Sequence, residues 1–157
     1  MSKKICVFGY GNPGRQDDGL GPALAELLEG DRLPDVETDS NYQLNIENAY
    51  DISRCGAVIF VDASIAGEEP FSFEEIEPEI EIAFTSHSLS PQSVMALCGE
   101  LYDAKIRAYV LGIRGYGWDL REELTPGARK NLEKALIFIK EKICELQRQE
   151  DKKIIFQ

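Results

Sequence analysis

The sequence predicts a single α/β domain of three layers, a twisted, mostly parallel five-stranded sheet flanked by helices. Three observations carry this. Five short runs rich in β-branched and aromatic residues recur along the chain, the intervals between them show helical periodicity, and two Ser/Thr-Pro pairs mark helix starts.

In order, the first strand is read at residues 4–8 (KICVF). Leu20, Ala23, Leu24, Leu27 and Leu28 then fall at i, i+3, i+4, i+7 and i+8, one apolar helical stripe that Gly30 ends. A second strand (35–40, DVETDS) precedes a short helix at 44–54, which stops before Gly56. The third strand (57–62, AVIFVD) and the fourth (71–77, FSFEEIE) follow. The third helix has Ser90 as N-cap and Pro91 at its first position, and runs to about Leu101. After a fifth strand (106–113, IRAYVLGI), the last helix starts at Thr125-Pro126 with Leu132, Ala135, Leu136, Ile139 and Ile143 as its apolar stripe. Residues 147–157 (QRQEDKKIIFQ) read as a polar tail with an apolar end. The domain is drawn at 1–150 and the tail proper at 151–157.

The chain has 157 residues, 43% hydrophobic and 29% charged, values that suit one soluble globular core. Its longest apolar runs, such as AVIFV, fall far short of the ~18 residues of a membrane span. The segment MSKKICVFGYG lacks an apolar secretory core, so a cytoplasmic location without membrane association is expected. A formal charge of −11, with no dense Lys/Arg cluster before the last helix, argues against nucleic acid. Cys6, Cys55, Cys98 and Cys144 form no C-x-x-C pair and are expected as unbonded, small core hydrophobes. A monomer is expected.

In parallel sheets with right-handed crossovers, ligands bind at the carboxyl ends of the strands, here at or near the switch point of strands one and three. The groups at those ends are the loop 9–21 (GYGNPGRQDDGLG), Asp39, Asp62 and Arg114. Residues 9–14 match G-x-G-x-x-G, and Asp39 lies ~20 residues or more downstream, where a ribose-binding acid belongs. A dinucleotide site needs its third glycine to open the helix toward the pyrophosphate. Here residues 15–19 intervene, Pro22 suits the first helical position, and Asp17 and Asp18 would compete with phosphate for the helix N–H groups and dipole. Capping explains one of these aspartates, and Asp17 stands open between cap and catalytic partner.

Asp62 ends an apolar strand and needs a partner, a loop N–H or a hydroxyl such as that of Ser64. Arg114 is expected to pair with Asp62 rather than with a substrate carboxylate. His87 is the one histidine, in TSHSLSPQS before the third helix. Together with strand-end carboxylates it makes a donor set suited to zinc, nickel or another divalent ion.

The loop GYGNPGRQDDGLG after the first strand, Val61-Asp62-Ala63 ending the third, and His87 resemble, over nearly the whole chain, the hydrogenase maturation endopeptidases, through the pattern G-x-G-N-x-x-x-x-D-(D/E)-x-x-G. Tyr42-Gln43-Leu44 and Gly112-Ile113-Arg114-Gly115-Tyr116 are similar to the branch serving cytoplasmic, NAD-reducing type nickel-iron hydrogenases. The resemblance implies an α/β endopeptidase that removes the C-terminal extension of a hydrogenase large-subunit precursor after nickel insertion, with that nickel as recognition signal. It implies metal-contacting and catalytic roles for Asp18, Asp62 and His87, and substrate binding for Asp39 and Gln43. Nickel is supplied by the precursor, with another divalent ion as an in-vitro substitute. Asp18 stands where the family often has Glu, and Asn41-Tyr42-Gln43 replaces a Gly-Thr segment. Two alternatives stay open, a non-catalytic nickel-binding checkpoint or chaperone and a small dinucleotide-binding domain.

Overall fold

The structure, a computed structural model, describes residues 3–80 and 89–155. Strand β1 (Ile5–Tyr10) leads through a 3-10 turn (Gln16–Gly19) into α1 (Leu20–Gly30). Then come β2 (Val36–Asn41), α2 (Ile46–Ser53), β3 (Ala57–Ser64), β4 (Phe71–Ile76), α3 (Pro91–Tyr102), β5 (Arg107–Arg114) and α4 (Pro126–Ile155). The sheet order is β2-β1-β3-β5-β4, with β4 antiparallel to β5 and the other pairings parallel.

Side chains alternate across the sheet, which explains the two apolar layers. Ile5, Val7, Ile59, Val61, Leu111 and Ile113 meet Leu20, Leu24 and Leu28 of α1 and Ala135, Ile139 and Ile143 of α4. Cys6, Phe8, Val58, Phe60 and Ala108 meet Ala49 and Ile52 of α2 and Val94 and Met95 of α3. The run AVIFV is apolar throughout because both of its faces are covered. Each large side chain so buried contributes about 1.5–3 kcal/mol. Chain order β1, β2, then β3 on the far side of β1 puts the switch point between β1 and β3.

The expected caps form: the Ser93 N–H donates to Ser90 Oγ at 3.1 Å, and the Ala128 N–H to Thr125 Oγ1 at 3.3 Å. Helix α2 starts later than residue 44, because Asn45 is its extended N-cap and donates its N–H to Asn48 Oδ1 at 2.8 Å, the returning bond of a capping box. The polar tail is corrected, since α4 runs on to Ile155. Its residues are good helix formers without Gly or Pro, and the Gln147 Nε2 amide donates to Pro34 O at 2.8 Å. Polarity there marks a helix end whose Gln147, Gln149 and Glu150 are part-buried and whose Arg148, Asp151 and Lys152 face solvent.

The cysteine expectation is corrected as well. Cys6 and Cys55 form a disulfide, with Cα atoms 6.2 Å apart across a sequence separation of 49. Cys6 lies on the α2 face of β1 and Cys55 follows the end of α2, so only their packing brings them together. Cys98 is buried as expected, whereas Cys144 is exposed on α4.

Candidate functional site

The loop after β1 is packed upon itself by its glycines. Gly11 has φ +139°, and a Cβ there would lie 2.0 Å from Asp18 O. A Cβ on Gly21 would lie 2.4 Å from Val61 O and 2.6 Å from Tyr10 O. These glycines serve backbone against backbone at the β1–β3 switch point. Helix α1 opens at Leu20, directly after the 3-10 turn. The expected start at Gly21-Pro22 is therefore corrected, and Pro22 sits third in the helix, where its missing N–H costs no intrahelical bond.

The 3-10 turn sends its two aspartates to different tasks. Asp17 is fully buried. Its Oδ2 accepts from the N–H groups of Tyr116 (2.7 Å) and Gly117 (3.0 Å) and from Thr125 Oγ1 (2.7 Å), and its Oδ1 accepts from the Thr125 N–H (2.9 Å). Burial pushes the carboxyl up, but the Thr125 hydroxyl and these three N–H groups outweigh it and hold Asp17 below the usual carboxylate range. Asp17 is a structural knot tying the β1 loop to the β5–α4 connection. Asp18, half-buried, accepts the Asn12 N–H through Oδ2 at 2.8 Å, and Asn12 is itself held in a turn by the Gly14 N–H on its Oδ1 at 2.9 Å.

Asp62 arrives from the end of β3, one residue beyond the Gly9–Val61 register pair and opposite Gly112 of β5. Its Oδ1 accepts the Ala63 N–H at 2.8 Å, and the Tyr10 hydroxyl also donates to it. Burial pushes its pKa up to about 6, the Ala63 and Tyr10 hydrogen bonds pull it down, and the nearby Asp18 charge raises it again. Burial and the Asp62 charge keep the Tyr10 hydroxyl protonated well above the ordinary tyrosine range. Two carboxylates from separated segments thus sense one another at the carboxyl edge of the sheet. Together they offer hard oxygen donors to a divalent ion, although no third Asp, Glu, Cys or His donor groups tightly with both among the described residues.

His87 lies outside the described residues. Asp39 is exposed on the edge strand β2, opposite Phe8, which pairs with Phe60. Two strand spacings and two residue rises put it about 12 Å from Asp62 between Cα atoms. Gln43 is exposed in the β2–α2 connection. Neither side chain joins the Asp18–Asp62 pair directly. Arg114 does not pair with Asp62: its Nη1 donates to Gly67 O at 2.8 Å and its Nε to Gly115 O at 3.3 Å, so its charge is spent on loop carbonyls. Ser64 Oγ accepts the Gly67 N–H at 2.8 Å, and the hydroxyl that pairs with Asp62 is that of Tyr10. Sequence reading missed Tyr10. The signal for it was strand alternation, because a β1 extended to residue 10 puts Tyr10 on the same face as Cys6 and Phe8.

No family model and no curated protein matches this sequence. Solved structures do match it. The NiFe hydrogenase maturation protease HycI from Thermococcus kodakarensis KOD1 is 23% identical over 94% of each chain, with a TM-score of 0.69. The hydrogenase maturating endopeptidase HybD from E. coli is 21% identical over 90% of this chain and 93% of its own, with a TM-score of 0.75. An uncharacterized protein from Wolinella succinogenes is 23% identical over 92% and 99%, with a TM-score of 0.60. At these identities the likeness establishes the fold, which this chain shares with all three over nine-tenths or more of its length.

Proposed function

We propose that this chain is an endopeptidase that removes the C-terminal extension of a nickel-loaded NiFe-hydrogenase large-subunit precursor. The observation that carries the reading is the placement of Asp18 and Asp62 on the loops and strands that end at the β1–β3 switch point, near enough for the Asp18 charge to raise the Asp62 pKa, each carboxylate oriented by its own donors. The fold shared with maturation proteases supports it.

In this reading the metal arrives as part of the substrate. Asp18 and Asp62 take it as oxygen ligands, and His87, assigned from the sequence resemblance, adds a neutral imidazole nitrogen. Bringing a cation against the pair favours the ionised form of Asp62, which burial and Asp18 otherwise oppose. Holding the precursor's metal fixes the adjacent scissile peptide relative to the acids, a positioning role. Asp39 and Gln43, exposed on the neighbouring strand and loop, contact the substrate chain beyond the metal. Asp17 takes no part in the chemistry because all its capacity is used inside the fold. The enzyme works as a monomer in the cytoplasm, and its nickel is supplied by the precursor.

Mass spectrometry of purified precursor mixed with this protein tests the reading. Loss of a C-terminal peptide from the nickel-loaded form, and none from the nickel-free form, is expected. Stable binding of the loaded precursor without any mass change would sink the peptidase reading and leave a non-catalytic checkpoint.

A further inference from the structure

We propose that Cys6, Cys55 and Glu37 form a separate metal site, which takes a thiophilic divalent cation of the Zn2+ type when the two sulfurs are reduced. Among the described residues this is the group of three His, Cys, Asp or Glu residues whose ligand atoms all lie within 4.8 Å of one another. Three chain segments build it. Parallel register sets Cys6 of β1 beside Glu37 of β2, on one face of the sheet. Cys55 comes from the turn after α2, where its N–H donates to Ile52 O at 2.9 Å. Its Sγ lies 3.5 Å from Asp51 O.

The donor set points to the ligand class. Two thiolates and one carboxylate suit Zn2+ with a fourth position left to water, while sulfur ligands disfavour Mg2+ and Ca2+. Both sulfurs are buried, which keeps competing water away, and Glu37 is exposed. Its partner Lys4, at 3.0 Å, is about half-exposed, so the ion pair is weak and a dication displaces it readily. A cleft of about 420 Å³ lined by Cys6, Glu37, Asp39 and Asp51 gives an entry path with negative walls.

Disulfide and metal forms exclude each other, because each uses the same sulfur electron pairs. An external dithiol passes two electrons and two protons to the Cys6–Cys55 bond and leaves as its own disulfide. The cation then displaces both thiol protons into solvent as the two sulfur–metal bonds form. None of this involves Asp18 or Asp62, so the site stands or falls independently of the proposed peptidase activity.

The test titrates the full chain, reduced and metal-stripped under anaerobic conditions, with Co2+ and then with Zn2+. One equivalent of Co2+ is expected to produce thiolate-to-cobalt charge-transfer absorption that Zn2+ abolishes. The absorption disappears in Cys6→Ser and Cys55→Ser, and Co2+ affinity falls about 10-fold or more in Glu37→Gln. It persists in Cys144→Ser and in Asp18→Asn, which separates this site from the carboxylate pair. Because a serine at buried Cys6 risks misfolding, exposed Glu37→Gln and the oxidised wild type serve as second arms, and the oxidised chain must bind no Co2+ through sulfur. Absence of the band in the reduced wild type, or its survival in the oxidised chain or in Cys55→Ser, overturns the proposal.

Discussion

Changing Asp17 to asparagine keeps the side chain's shape and removes the charge on which four hydrogen bonds converge. With the amide oxygen in place of Oδ2, the bonds from Tyr116 N, Gly117 N and Thr125 Oγ1 survive as neutral ones, but the amide NH2 then faces the Thr125 N–H. The reverse orientation sets the NH2 against two backbone N–H groups, so the first is the better. One buried donor left unpaired costs about 1–3 kcal/mol, and three bonds that lose charge assistance cost about 1 kcal/mol each. The cheaper burial of a neutral group offsets part of this, leaving a net loss of about 3 kcal/mol. Urea unfolding at pH 7 measures it as a lower midpoint at constant slope. The folded-state pKa of Asp17 is depressed, so its stabilisation is present above the unfolded value near 4 and is lost as pH falls through the lower folded value. The gap between wild type and Asp17→Asn must therefore shrink below about pH 4. A loss under about 1 kcal/mol at pH 7, or one that does not change on acidification, refutes the knot.

Asp62 has the opposite sign, a raised folded pKa of about 6, so its ionisation destabilises the fold as pH rises from its unfolded value through about 6. Asp62→Asn, whose amide still pairs with the Ala63 N–H and the Tyr10 oxygen, is expected to be at least as stable as wild type at pH 8 in urea titrations, yet inactive on nickel-loaded precursor. Processing by the wild type is expected to rise about tenfold per unit below pH 6 and then level off, because the ionised pair receives the metal; a flat kcat/KM profile from pH 5 to 8 contradicts this. Gly11→Ala combines φ +139° with a Cβ 2.0 Å from Asp18 O, and calorimetry should record a destabilisation of about 3 kcal/mol or more together with loss of processing.

The fold was legible because its signals are local. The AVIFV run, the Leu20–Leu28 stripe and the Ser90 and Thr125 caps each state their structure within one turn or one strand. The end of α4 was misread because its contacts are made by polar side chains, Gln147 with Pro34 O and Gln149 with Arg107, so it has no apolar stripe to display. The placement of Asp18 and Asp62 at the carboxyl edge was legible from the pattern of the first loop and the polar end of an apolar strand, and the burial of Asp17 was not. Adjacent in sequence and alike in chemistry, Asp17 and Asp18 are separated in role only by the geometry of the 3-10 turn.

By itself, then, the sequence determined the order of strands and helices, the starts of α3 and α4, and the carboxylates available at the strand ends. Tertiary structure decided what those groups do. Packing of the Gly9–Gly21 loop against Val61 O set Asp18 at the same sheet edge as Asp62, burial and the Asp18 charge raised one acid while four donors depressed another, and docking of α2 on β1 joined Cys6 to Cys55. The physical reason is range. Propensity and capping act over a few residues and are written where they act, whereas desolvation, charge coupling and sulfur contact depend on segments 44 or more residues apart, which only the folded sheet brings within reach.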